Sequence, residues 1–62
     1  MRKEEIVIGN LIDVYEDPIT KQKLEGRAEI RRIYRAECST VFLLGLKFPG
    51  EKRIVTRRIV CD

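Results

Sequence analysis

The chain has 62 residues, 44% hydrophobic and 37% charged, with a formal net charge of +3. That length supports one small core and excludes two domains, and the balance of apolar and charged residues excludes intrinsic disorder. There is no histidine, which removes the usual general base near neutral pH and the commonest metal ligand.

Arg2, Lys3, Glu4 and Glu5 follow Met1, and the apolar stretch after them is broken by Gly9, Asn10 and Asp13. That is too short and too polar for a signal peptide or a membrane span, so the expected setting is the cytoplasm, without contact with a membrane. Ile6 and Ile8 open the apolar pattern. From Asn10 it alternates, with Ile12 and Val14 on one face and Asp13 and Tyr15 on the other, which predicts a strand. Pro18 has no amide hydrogen for a ladder and pushes Asp17 toward an extended conformation, so the strand stops here. A loop of about ten residues, ending near Gly26, is expected to follow.

Arg27 to Glu37 fits two periods. Ile30, Ile33, Tyr34 and Cys38 lie on a helical stripe, whereas a strand with a bulge near Arg31 and Arg32 brings Ile30 and Ile33 to the same side. The strand is preferred, and a helix over about 27–38 is the alternative. Thr40 to Phe48 gives the clearest strand, with Phe42, Leu44, Leu46 and Phe48 on one face and Val41, Leu43, Gly45 and Lys47 on the other. Apolar residues on both faces place it centrally. Pro49-Gly50-Glu51-Lys52 predicts a turn. Ile54, Val55, Ile59 and Val60 predict a last strand, with Thr56-Arg57-Arg58 marking an edge or a break.

The expected fold is therefore all-β, a small open barrel or a strongly bent antiparallel sheet of three to five strands, with an α+β arrangement as the alternative if 27–38 is helical. The expected core is Ile6, Ile8, Ile12, Val14, Ala28, Ile30, Ile33, Phe42, Leu44, Leu46, Phe48, Ile54 and Ile59. Cys38 and Cys61 are expected as reduced, buried thiols.

The run Gly9-Asn10-Leu11-Ile12-Asp13-Val14-Tyr15-Glu16-Asp17-Pro18, followed by Glu25-Gly26-Arg27-Ala28-Glu29-Ile30, resembles the opening of small SH3-like barrels. It resembles in particular small uncharacterised proteins of phages and mobile elements that carry a YEDP segment followed by EG-x-A. The resemblance covers about residues 9–30. It implies an SH3-like barrel and leaves open a role in RNA, DNA or peptide binding or in assembly.

No catalytic constellation emerges. Cys38 and Cys61 have no second cysteine pair and no histidine to complete a zinc site within one chain, and no glycine-rich phosphate cradle occurs. No cofactor, metal or small-molecule substrate is expected. Asp13, Glu16 and Asp17 form an acidic group next to Pro18, best read as turn chemistry. Charge is uneven along the chain: residues 1–30 hold five basic against seven acidic residues, and residues 31–62 hold eight against three.

Two functions remain, both without catalysis. One is a protein-interaction or assembly module, since a small core and open strand edges favour pairing with a protein partner or a second copy. The other is a nucleic-acid-binding module, with Arg31, Arg32, Arg35, Arg53, Arg57 and Arg58 on neighbouring strands facing phosphates and Tyr34 beside them. Against the second stands a structural use of the cations, in which Arg31, Arg57 and Arg58 pair with Glu29, Glu37 and Glu51.

Overall fold

The computed structural model describes residues 2–61. A short 3-10 turn at Lys3–Glu5 precedes four strands, β1 (Leu11–Asp17), β2 (Gln22–Ala36), β3 (Val41–Lys47) and β4 (Val55–Val60). They form one antiparallel sheet in the order β1-β2-β3-β4, curled into a half-barrel. The region 27–38 is strand and turn, so the helical alternative is excluded.

The curl comes from β2. A strand of 15 residues laid straight spans about 50 Å at roughly 3.3 Å per residue, against a longest molecular dimension of 30 Å. The register breaks in three places, and each leaves an extra residue on β2: Glu25 against β1, and Arg31 and Tyr34 against β3. A bulge bends its strand and increases the local twist. Three in succession wrap β2 around the core.

The first connection differs from expectation. Instead of a ten-residue loop, β1 and β2 meet in a tight hairpin over residues 18–21, and β2 is already under way four positions before Gly26. Asp17 makes this turn. Its Oδ1 accepts hydrogen bonds from the N–H groups of Ile19 at 3.0 Å and Thr20 at 3.2 Å, and its carbonyl accepts from Lys21 N–H at 2.9 Å. The bond from the Thr20 backbone above all, then those from its hydroxyl and the Ile19 N–H, hold the Asp17 carboxyl below its ordinary range. At the hairpin between β3 and β4 Glu51 N–H donates to Phe48 O at 3.2 Å. Pro49 and Gly50, the latter with φ +83°, supply the central residues of a type II turn.

The buried core is Ile12, Val14, Ala28, Ile30, Leu44, Leu46, Ile59 and Cys61, with Ile6, Phe42, Phe48 and Val55 packed partly buried around it. Three residues expected inside are outside: Ile8, Ile33 and Ile54 are 55%, 45% and 37% exposed. Ile8 sits in a turn after the 3-10 segment rather than on a strand. Ile54 precedes β4 and lies over the face of Gly45 turned away from the core. Ile33 stands opposite Leu44, in phase with the core as the bulge at Arg31 requires. It stays open because pairing between β1 and β2 begins only at Leu11 and Glu29, so no strand covers the sheet beyond Ile30. Cys61 is buried, while Cys38 is exposed in the turn between β2 and β3, and the two are not joined by a disulfide.

Candidate interaction edge

β2 has two unlike halves. From Gln22 to Glu29 it pairs with β1 on one side, and from Glu29 to Ala36 it pairs with β3 on the other. Just past the end of β1 the incoming chain makes one last exchange, with Gly9 N–H donating to Ile30 O at 2.7 Å and Ile30 N–H to Asn10 O at 2.8 Å. It then turns away. Among the described residues, no backbone bond reaches 31–36 except from β3, and every residue of that stretch is exposed. A strand paired on one side presents unsatisfied N–H and C=O groups on the other.

Other free edges lie on β1 and β4, at the two ends of the sheet, and on the side of residues 22–28 turned away from β1, where β2 has no strand partner among the described residues. There the Glu25–Arg57 pair reaches across from β2 to β4. The edges of β1 and β4 border a common cleft of about 260 Å³, lined from both strands by Leu11, Ile12, Tyr15, Ile59 and Val60. None of residues 31–36 lines that cleft.

The six arginines singled out in the sequence separate into two groups. Arg31 pairs with Glu29 at 3.2 Å, Arg58 with Glu37 at 2.6 Å, and Arg57 with Glu25 through two bonds of 3.1 and 2.8 Å. Arg57 also donates to Thr56 O at 2.9 Å. Thus Glu29 and Glu37 act as expected, while Glu25 takes the place of Glu51. The Glu25–Arg57 pair links residues 32 positions apart, and both line the end of the sheet where Phe48 and Val55 pack. The hydrogen bond from Arg57 lowers the Glu25 carboxyl below its ordinary range, and the same bond raises Arg57.

Arg32, Arg35 and Arg53 form no ion pair among the described residues. Arg32 and Arg35 flank Ile33 and Tyr34, which are 45% and 47% exposed. Gly45, buried in β3, makes this arrangement possible. A methyl group there would stand 3.0 Å from both Arg32 Cβ and Ile54 Cγ2 and 3.2 Å from the Tyr34 hydroxyl oxygen. The three side chains therefore converge over a backbone that only glycine leaves clear. Sequence reasoning placed the cations on these strands but missed the edge, since where β1 ends is not written in the residues of β2.

Cys38 lies in the same hairpin, its Sγ 3.7 Å from Thr40 Oγ1. Hydrogen bonding from the Thr40 backbone first, then its hydroxyl, lowers the thiol below its ordinary range. Among the described residues no cluster of three or more His, Cys, Asp or Glu is placed to hold a metal ion, and no helix is long and apolar enough to cross a membrane.

The class defined by these features is a four-stranded curled antiparallel sheet with an open, arginine-flanked edge. No family model, curated protein or solved structure matches the chain.

Proposed function

We propose that this chain is a non-catalytic interaction module that takes an extended segment of a partner protein along residues 31–36 of β2. The observation that carries this reading is the length of β2, which continues as a strand through Ala36 although its pairing with β1 stops at Glu29. An added strand satisfies the free backbone groups, and alternate side chains set its specificity. Ile33 and Tyr34 offer apolar contact at the middle of the edge.

The test is selection of displayed extended peptides on the intact protein, with counter-selection on Ile33→Lys. An inward-pointing charge blocks edge pairing, and Ile33 lies outside the buried core. Peptides that bind the parent, fail on the variant and slow amide exchange in 31–36 support the reading. A selection that yields none, with the protein monomeric at high concentration, overturns it.

A second reading is binding of nucleic acid by the same region. It is favoured by Arg32, Arg35 and Arg53, which have no carboxylate partner among the described residues, beside a half-exposed Tyr34. Cations of this kind release counterions when they meet phosphates, and an aromatic ring stacks on bases. Steeply salt-dependent anisotropy changes with DNA or RNA oligonucleotides, reduced by replacing Arg32 and Arg35, would support it.

A further inference from the structure

We infer that the segment taken up by this edge is acidic: an extended strand with carboxylates at the positions facing Arg32 and Arg35 and apolar residues facing Ile33 and Tyr34. This rests on the edge reading above and names its partner. Opposite charges on facing positions of paired strands stabilise the pair, and like charges destabilise it. Arg31 already has Glu29 at 3.2 Å, so the charge left to satisfy is that of Arg32 and Arg35.

The same rule weighs against a second copy of this edge as the occupant. Antiparallel self-pairing centred on Ile33 sets Arg31 opposite Arg35, and pairing centred between Ile33 and Tyr34 sets Arg32 opposite Arg35. A register centred on Tyr34 avoids these clashes, but it puts Arg32 opposite Ala36 and Arg35 opposite Ile33 and so gives neither cation a counter-charge. An acidic strand satisfies both cations in one register and leaves Ile33 and Tyr34 for apolar contact. Nearby carboxylates do not compete, since Glu37 is held by Arg58 at 2.6 Å.

The experiment uses the whole protein and four probes: a peptide alternating Glu and Val, its Lys and Val and Thr and Val counterparts, and a single-stranded oligonucleotide. Binding is followed by anisotropy at low and about 0.5 M salt, where screening of exposed charges is nearly complete, and amide exchange locates it. The expected result is that the acidic peptide slows exchange in 31–36 and binds about tenfold tighter than the neutral one at low salt. That preference should shrink at high salt. In Arg32→Glu/Arg35→Glu it should pass to the lysine peptide, a reversal that a merely unfolded variant could not produce.

Equal binding of acidic and neutral peptides overturns the acidic partner and leaves the edge reading standing. Peptides that bind without slowing exchange in 31–36, or no peptide binding at all, overturn the edge reading itself. Oligonucleotide binding that depends on Arg32 and Arg35, with the peptides inert, overturns the acidic partner in favour of phosphate. A concentration-dependent dimer that protects 31–36 overturns it in favour of a second copy.

Discussion

Within β2, Ala28 and Ile30 are fully buried, while Ile33 and Tyr34, a few positions further along the same strand, are about half exposed. All four lie in a continuous β ladder with β3 or beside it. What differs is the other side, where β1 covers the first half and nothing covers the second. Between Ala28 and Tyr34 burial follows the end of the neighbouring strand, whereas nearer the β1–β2 hairpin Leu24 is 58% exposed although it pairs with β1. The covered half holds the fold together, and the uncovered half is left for a partner.

The sharpest way to break that contrast is to truncate an isoleucine in each half. Ile30→Ala removes a fully buried side chain and should cost about 2–5 kcal/mol, most of the stability of a domain this small. Ile33→Ala should stay within about 1 kcal/mol. Denaturant melts of the two variants check this, and similar losses would show that the second half is covered in solution.

Gly45 supports the uncovered half from β3, since Arg32 and Tyr34, together with Ile54, close over it. Gly45→Ala forces these neighbours apart and is expected to cost about 1–3 kcal/mol as an overpacked site. Replacing Tyr34 by Ala in the same protein should recover part of that loss, because the hydroxyl is one of the three close contacts. A double-mutant cycle measures the recovery.

A smaller effect belongs to Glu25 and Arg57. The Glu25 carboxyl titrates lower in the folded chain than in the unfolded one, so its contribution is full above the ordinary glutamate range and is lost as pH falls through the folded value. Both side chains are partly exposed, which limits that contribution to about 1 kcal/mol. Glu25→Gln should remove it at neutral pH and make the decline of stability in acid shallower. Stability measured from neutral pH to pH 3 in parent and variant tests the sign.

The thiols give a contrast without an energetic cost. Cys38 is exposed and its thiol is lowered by Thr40, whereas Cys61 is 2% exposed. A thiolate-selective reagent should label Cys38 in the native protein and reach Cys61 only on unfolding. Mass spectrometry of the labelled peptides distinguishes them.

The strands flanking β2 were legible in the sequence, but its first residues, 22–26, read as a loop because their polar side chains lie exposed on the hairpin. The alternation from Val41 to Phe48 defines β3, Ile12 and Val14 define β1, and Pro49 with Gly50 defines the turn from β3 to β4. The uncovered half was ambiguous for a physical reason: bulges at Arg31 and Tyr34 interrupt the two-residue period twice, and what remains fits a helical stripe. The exposure of Ile33 was not legible either, because it depends on the end of β1. Of the candidate arginines, Arg31 and Arg58 took partners already considered. The partner of Arg57 lies on a bulge 32 positions away and has no signature in local sequence.

The most direct test of the open edge is residue-by-residue amide hydrogen exchange across β2 in the isolated protein. Ala28 and Ile30 are expected to exchange only with global unfolding, while alternate amides in 31–36, those directed away from β3, exchange orders of magnitude faster through local exposure. Uniform protection from Gln22 to Ala36 would mean that the edge is already covered, contradicting the claim that it stands open for a partner.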